Sequence, residues 1–270
     1  VSRLDAVFAA RKARGERVLV TYLCIGDPDA DASFAHAMAC VEAGADVLEL
    51  GCPFSDPTAD GEAIARAAQR SIANGGGLQC TLDVARRIRA ACDVPIVLFG
   101  YYNPLFVRGE TRAVDDAHAA GVDALLVVDL PPEEGAELRS RACELGLGVV
   151  PLVAPTSSDA RVVGLGKSDP RPPFVYYVSV AGVTGSGTAN LAEASKRAGE
   201  LGHAIGAPCV VGFGVTNAED ARNASRDADG VVVGTAIVRT IEAAVADGLS
   251  AEEQATRVRL LVGELARAVH

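Results

Sequence analysis

The sequence predicts an α/β fold, a single (β/α)8 TIM barrel spanning residues 1–270 with an extra N-terminal helix. Eight short runs rich in Val, Leu, Ile and aromatic residues recur along the chain, and helical patterns separate them. The runs are mostly apolar on both faces, which suits parallel strands covered by helices and not a half-solvated antiparallel sheet. A doubly wound open sheet is the competing architecture, but it usually carries a GxGxxG turn after an early strand, and no such turn follows the first run.

Leu4, Val7 and Phe8 fall at helical spacing among arginines, giving a short amphipathic helix that serves as a lid on a core. The first strand, RVLVTYLCI over 17–25, ends at the turn signal Gly26-Asp27-Pro28, and a helical pattern runs on through Val41. The next strands, DVLELG, VPIVLFG, VDALLVV and LGVVPLV, begin near 46, 94, 122 and 147, and FVYYVSV, APCVVGFG and ADGVVVG begin near 174, 207 and 228. Each is followed by a helical stretch, from ARAAQRSI and LDVARRIRAA after the second strand to a long C-terminal run after the eighth. No linker-like segment interrupts the rhythm, so one domain is expected.

Composition narrows the function. With 35 acidic and 25 basic residues the net charge is −10, which disfavours nucleic acid and anionic membranes. No apolar run approaches the roughly 18 residues that span a bilayer, and the opening residues show no secretory apolar core, so a cytoplasmic protein is expected. Seven cysteines without a CxxC pair read as free thiols, not as a disulfide framework or zinc site.

In such a barrel the chemistry sits at the C-terminal ends of the strands. The lysines, Lys12, Lys167 and Lys196, end no strand, which argues against a Schiff base. Histidines 36, 118, 203 and 270 lie on helices or at the terminus, leaving a histidine base or a His-ligated metal without a candidate. Carboxylates and tyrosines remain. Glu49 stands inside the apolar run Val47-Leu48-Glu49-Leu50-Gly51, where an unpaired charge costs several kcal/mol. It is either paired with an arginine at the rim or a proton-transfer group in the mouth, and the second reading is favoured. The loop CPFSDPTADG adds Asp56 and Asp60 near the same mouth; turn stabilisation competes for Asp56 and helix capping for Asp60. Cys52 reads as a packed thiol, with no histidine to activate it.

Three glycine-bearing turns follow the last three strands: Gly182 to Gly187, Gly212-Phe213-Gly214, and Gly234-Thr235. Backbone amides exposed by glycine at helix N-termini favour a phosphate, so a phosphorylated substrate is expected, although barrel turns need glycine in any case. Tyr22, Tyr101, Tyr102 and Phe213 could line an aromatic-friendly pocket or fill the core. Of Tyr176 and Tyr177, one faces the barrel interior and the other the helices.

The run LELGCPFSDPTADG at 48–61 resembles the signature of the tryptophan synthase alpha chain family. Further matches are Tyr22 to Pro28, YYNP at 101–104, VVDLPPEE at 127–134, YYVSVAGVTG at 176–185, GFGV at 212–215 and VVGTAIV at 232–238. The resemblance implies retro-aldol cleavage of indole-3-glycerol phosphate to indole and glyceraldehyde 3-phosphate. It further implies a beta subunit in an α2β2 heterotetramer that takes the indole and holds the pyridoxal phosphate, this chain itself needing neither cofactor nor metal. Carried over by motif, Glu49 and Asp60 are the catalytic pair. Gly185, Gly214, Gly234 and Thr235 hold the phosphate, Tyr22 and Phe213 lie in the pocket, and Tyr176 stands beside Glu49. Two mobile loops, Pro53 to Asp60 and Gly182 to about Asn190, would close over the substrate, with the Thr184 hydroxyl linking closure to Asp60. Tyr22, Thr58, Glu62 and Thr235 depart from the usual pattern without removing a catalytic group. A stand-alone indole-releasing lyase would share these residues, whereas a non-catalytic regulatory barrel predicts a degraded carboxylate pair, against which Glu49 and Asp60 argue.

Overall fold

In a computed structural model the described residues are 2–131, 134–178, 187–212 and 214–270, with backbone alone for 187–190. The strands are β1 (Val18–Cys24), β2 (Val47–Gly51), β3 (Ile96–Gly100), β4 (Ala124–Val127), β5 (Gly148–Val149), β6 (Leu152–Val153), β7 (Val175–Val178), β8 (Cys209–Gly212) and β9 (Gly230–Val233). All pairings are parallel, in the order β5-β4-β3-β2-β1-β9-β8-β7-β6. The two ends of that order are consecutive in the chain, separated only by Val150-Pro151. Proline has no N–H to donate to a ladder, so the fifth barrel strand is divided into β5, which pairs with β4, and β6, which pairs with β7. The expected eight strands are therefore present as nine segments closing one ring.

Alternation along each strand separates two apolar layers. Val18, Val20, Val47, Val97, Leu126, Val210 and Val232 pack inside the barrel, while Leu19, Leu48, Leu50, Leu98, Leu125 and Val231 pack outward against helices. The first helix, α1 (Arg3–Ala13), starts with a Ser2–Asp5 capping box and buries Leu4 and Phe8 in the interior cluster. Phe8 meets Phe174 at 5.5 Å between ring centroids. The predicted lid is thus a plug on the N-terminal mouth, leaving the opposite mouth for chemistry.

The helices that bear on that mouth are α3 (Glu62–Ala73), α10 (Ala218–Ser225) and α11 (Thr235–Ala246), and α12 (Ala251–Val269) packs on α2 (Ala30–Glu42). The YYNP segment forms a further short helix, α5 (Tyr102–Arg108), so α4 (Leu78–Ala91), α6 (Glu110–Ala119), α7 (Ala136–Glu144), α8 (Asp159–Gly166) and α9 (Gly187–Ile205) complete the layer. The long C-terminal pattern is two helices, α11 and α12, broken at Gly248, whose φ of 70° belongs to the left-handed region. Among the described residues no helix is long and apolar enough to cross a membrane.

Candidate active site

Strand β2 presents Leu48 and Leu50 to the helices, so the intervening Glu49 must face the barrel interior. It is fully buried, and neither carboxyl oxygen has a hydrogen-bond partner among the described residues. Among the described residues, the rim arginine that would have made it a structural ion pair is not found there. Burial pushes its pKa up to about 8.

Asp60 comes from the loop after β2. The N-cap of α3 is Gly61 and no side chain caps that helix, so Asp60 does not act as its cap. Its carboxyl turns into the same cavity as Glu49. Burial raises its pKa to about 6, and the Tyr101 hydroxyl offsets part of that rise. Tyr101 also accepts a hydrogen bond from the Ala59 N–H at 3.0 Å and packs on Phe54 at 5.3 Å, so it pins the loop at both ends. Asp56 is exposed, and its carbonyl accepts from the Thr58 N–H at 2.9 Å; the structure gives it the turn role and not a place in the cavity. Cys52 is a buried free thiol pushed up to about 12.

Two tyrosines stand over these acids. Tyr22 lies opposite Glu49 in the β1–β2 register and meets Phe99 edge-on at 5.2 Å. The parity of β7 is settled: Tyr176 joins the interior cluster and Tyr177 the helix-facing one. Each inward tyrosine needs a glycine on the neighbouring strand. A Cβ on Gly51 would stand 2.3 Å from the Tyr22 hydroxyl oxygen, and one on Gly212 would stand 2.0 Å from the Tyr176 ring. These glycines are the seats of the two rings, a role that neither the strand context of Gly51 nor the turn context of Gly212 discloses.

The acids and tyrosines line a cavity of about 330 Å³, large enough for a small metabolite. Its apolar wall includes Phe99, Val128, Leu152 and Val178; Gly214, Thr216, Gly234, Thr235 and Arg239 also line it. Gly214 has φ of 82°, a conformation glycine adopts without strain. Gly234 is the N-cap of α11 and makes no side-chain cap bond, so no capping side chain occupies the first amides of that helix. The structure thus brings together Glu49, Asp60, Tyr22, Tyr176, Gly214, Gly234 and Thr235. Thr184, Gly185 and Phe213 lie outside the described residues. Phe99, Val128 and Leu152 were missed, although strand alternation from Val97, Leu126 and Val150 would have found them. Arg239 was missed too, although it stands four residues after Thr235. Among the described residues no cluster of His, Cys, Asp and Glu is placed to hold a metal ion.

The chain matches the family profile described as tryptophan synthase alpha chain over residues 8–270. It is 45% identical over 252 residues to the tryptophan synthase alpha chain of Geobacter sulfurreducens, covering 93% of this chain and 95% of that one. The chain belongs to the tryptophan synthase alpha chain family. The corresponding protein of Xanthomonas axonopodis is 44% identical over 257 residues, covering 94% of each chain. Among solved structures, the alpha subunit from Legionella pneumophila superposes with a TM-score of 0.90 at 31% identity, covering 100% of this chain and 98% of that one. A chain of the aminoacrylate-bound tryptophan synthase of M. tuberculosis superposes with a TM-score of 0.84 at 32% identity, each chain covered in full. As a member of this alpha chain family the protein is a carbon–carbon lyase of tryptophan biosynthesis that cleaves indole-3-glycerol phosphate. It pairs with a beta subunit, in which the pyridoxal phosphate resides.

Proposed function

We propose that Glu49 and Asp60 carry the lyase step between them, with Glu49 moving the protons and Asp60 holding the indole N–H. Cleavage requires indole C3 to take a proton, so that the ring becomes a leaving group, and the adjacent glycerol hydroxyl to lose one as its carbonyl forms. A buried carboxyl pushed up to about 8 is protonated at neutral pH and can supply the first proton. The carboxylate left behind takes the hydroxyl proton, so Glu49 ends as it began. Asp60, at about 6, is then mostly ionised and accepts the N–H hydrogen bond, favouring the positive charge that develops on the protonated ring. Two carboxyls facing one cavity, that of Glu49 fully buried without a hydrogen-bond partner among the described residues, is the observation that carries this reading.

In the same reading the phosphate lies on the backbone at Gly185, Gly214, Gly234 and Thr235, and the indole lies toward Phe213, Tyr22 and Tyr176. The uncapped start of α11 and the positive φ of Gly214 support that placement. Thr184 would join the second loop to Asp60. Residues 1–270 act as one barrel domain in the cytoplasm, within an α2β2 heterotetramer. The test is indole release from indole-3-glycerol phosphate, with and without the beta subunit. Glu49→Gln is expected to lower turnover by about 10² to 10⁴ while leaving the circular dichroism spectrum unchanged. Asp60→Asn, which can still accept a hydrogen bond, should lose less; retention of a tenth of turnover in Glu49→Gln would overturn the assignment.

A further inference from the structure

The cavity lined by Glu49 and Asp60 has a single cationic side chain, Arg239, among the described residues that line it. We propose that Arg239 is a specificity-determining residue, the countercharge that selects a phosphate monoester dianion; this rests on the phosphate placement above. Arg239 follows Thr235 by four residues on α11, so the two share a helix face. Cα–Cβ bonds tilt toward a helix N-terminus, so the arginine stem leans back over Thr235 and Gly234 and not away from them. No carboxylate among the described residues pairs with it, whereas Arg66 and Arg70 on the adjacent α3 are both taken up by Glu242. Backbone amides and the helix end offset only about half a unit of charge, and a dianion bears up to two. A planar guanidinium supplies forked donors that match phosphate oxygens.

The wild-type alpha–beta complex, Arg239→Gln and Arg239→Lys are compared by KM for indole-3-glycerol phosphate, by competitive inhibition with inorganic phosphate, and by inhibition with uncharged indole. Arg239→Gln is expected to raise KM and the inhibition constant of phosphate about tenfold in low salt and less at 0.5 M salt, where exposed charges are screened. Indole should inhibit both proteins alike, and Arg239→Lys should restore part of the loss. Equal phosphate inhibition of wild type and Arg239→Gln would overturn the role of Arg239 while leaving the phosphate site standing. A parallel loss of phosphate and indole inhibition would reduce Arg239 to a structural role. Absence of phosphate inhibition in the wild type, together with an unchanged KM in Gly234→Asp, would remove the phosphate placement itself.

Discussion

A carboxyl with no partner in an apolar interior holds its proton until the cost of ionising it is met, and Glu49 is such a group. In the free enzyme kcat/KM should therefore rise as pH increases through about 6, where Asp60 ionises, and fall beyond about 8, where Glu49 releases its proton. A pH–rate profile measures both limbs, and Asp60→Asn should flatten the acidic one. The same burial predicts an effect on stability. An unfolded chain releases the Glu49 proton near pH 4.5 and the folded one near 8, so the contribution of the protonated group is complete below 4.5 and is lost as pH rises through 8. Between those limits it falls by up to about 1.4 kcal/mol per pH step. Melting of wild type and Glu49→Gln across pH 5 to 8 should show the variant gaining on the wild type as pH rises; a constant difference would mean that the folded carboxyl ionises normally.

Strands and loops hold these side chains by close fit. Tyr176 lies across Gly212 because β7 and β8 are in register, Val178 opposite Gly212, so the ring of one strand occupies the space a side chain would need on the next. Gly212→Ala must displace the Tyr176 ring into the cavity or spread the strands. The expected cost is about 1–3 kcal/mol in denaturant unfolding, with a raised KM. Combined with Tyr176→Ala the penalty should largely vanish, because the two changes act on one contact; additive losses would place the strain elsewhere. The Asp60 loop is held differently, by the Tyr101 hydroxyl at Ala59 and by ring packing on Phe54. That pair of contacts orders the loop with little buried area, which suits a segment that opens to admit substrate.

Across the whole molecule, one end is closed for stability and the other is built for chemistry. Leu4 and Phe8 of α1 seal the N-terminal mouth against Phe174. Asp46 then ties both chain ends to the barrel: it accepts from the Leu19 N–H at 2.9 Å and from Arg11 at 2.8 Å, and it meets His270 at 2.9 Å. At the active end, Arg70 of α3 makes a two-pronged bond to the buried Asp27 after β1 and bridges to Glu242 of α11. The helix that follows Asp60 is thereby fixed to the helix that starts at Gly234. Phe8→Ala should cost about 3–5 kcal/mol of unfolding free energy. Its effect on KM in folded protein should stay within twofold, because the plug touches the opposite end of the interior. Steady-state kinetics beside a denaturation curve checks both.

The eight-fold rhythm, the lid-forming first helix and the suspicious glutamate were legible because each depends on local pattern: strand period, helix period, and a charge in an apolar run. Glu49 faces inward because its neighbours Leu48 and Leu50 need the helix layer, which alternation alone dictates. Closure of the sheet decided the rest. It chose Tyr176 over Tyr177 for the interior, and left Asp56 in solvent while turning Asp60 inward. It also seated two tyrosine rings on Gly51 and Gly212 and placed Arg239 on the wall of the cavity that holds the acids. These features depend on which residues from different strands and helices share one space, and that is fixed by strand register and helix docking, which no local sequence pattern contains.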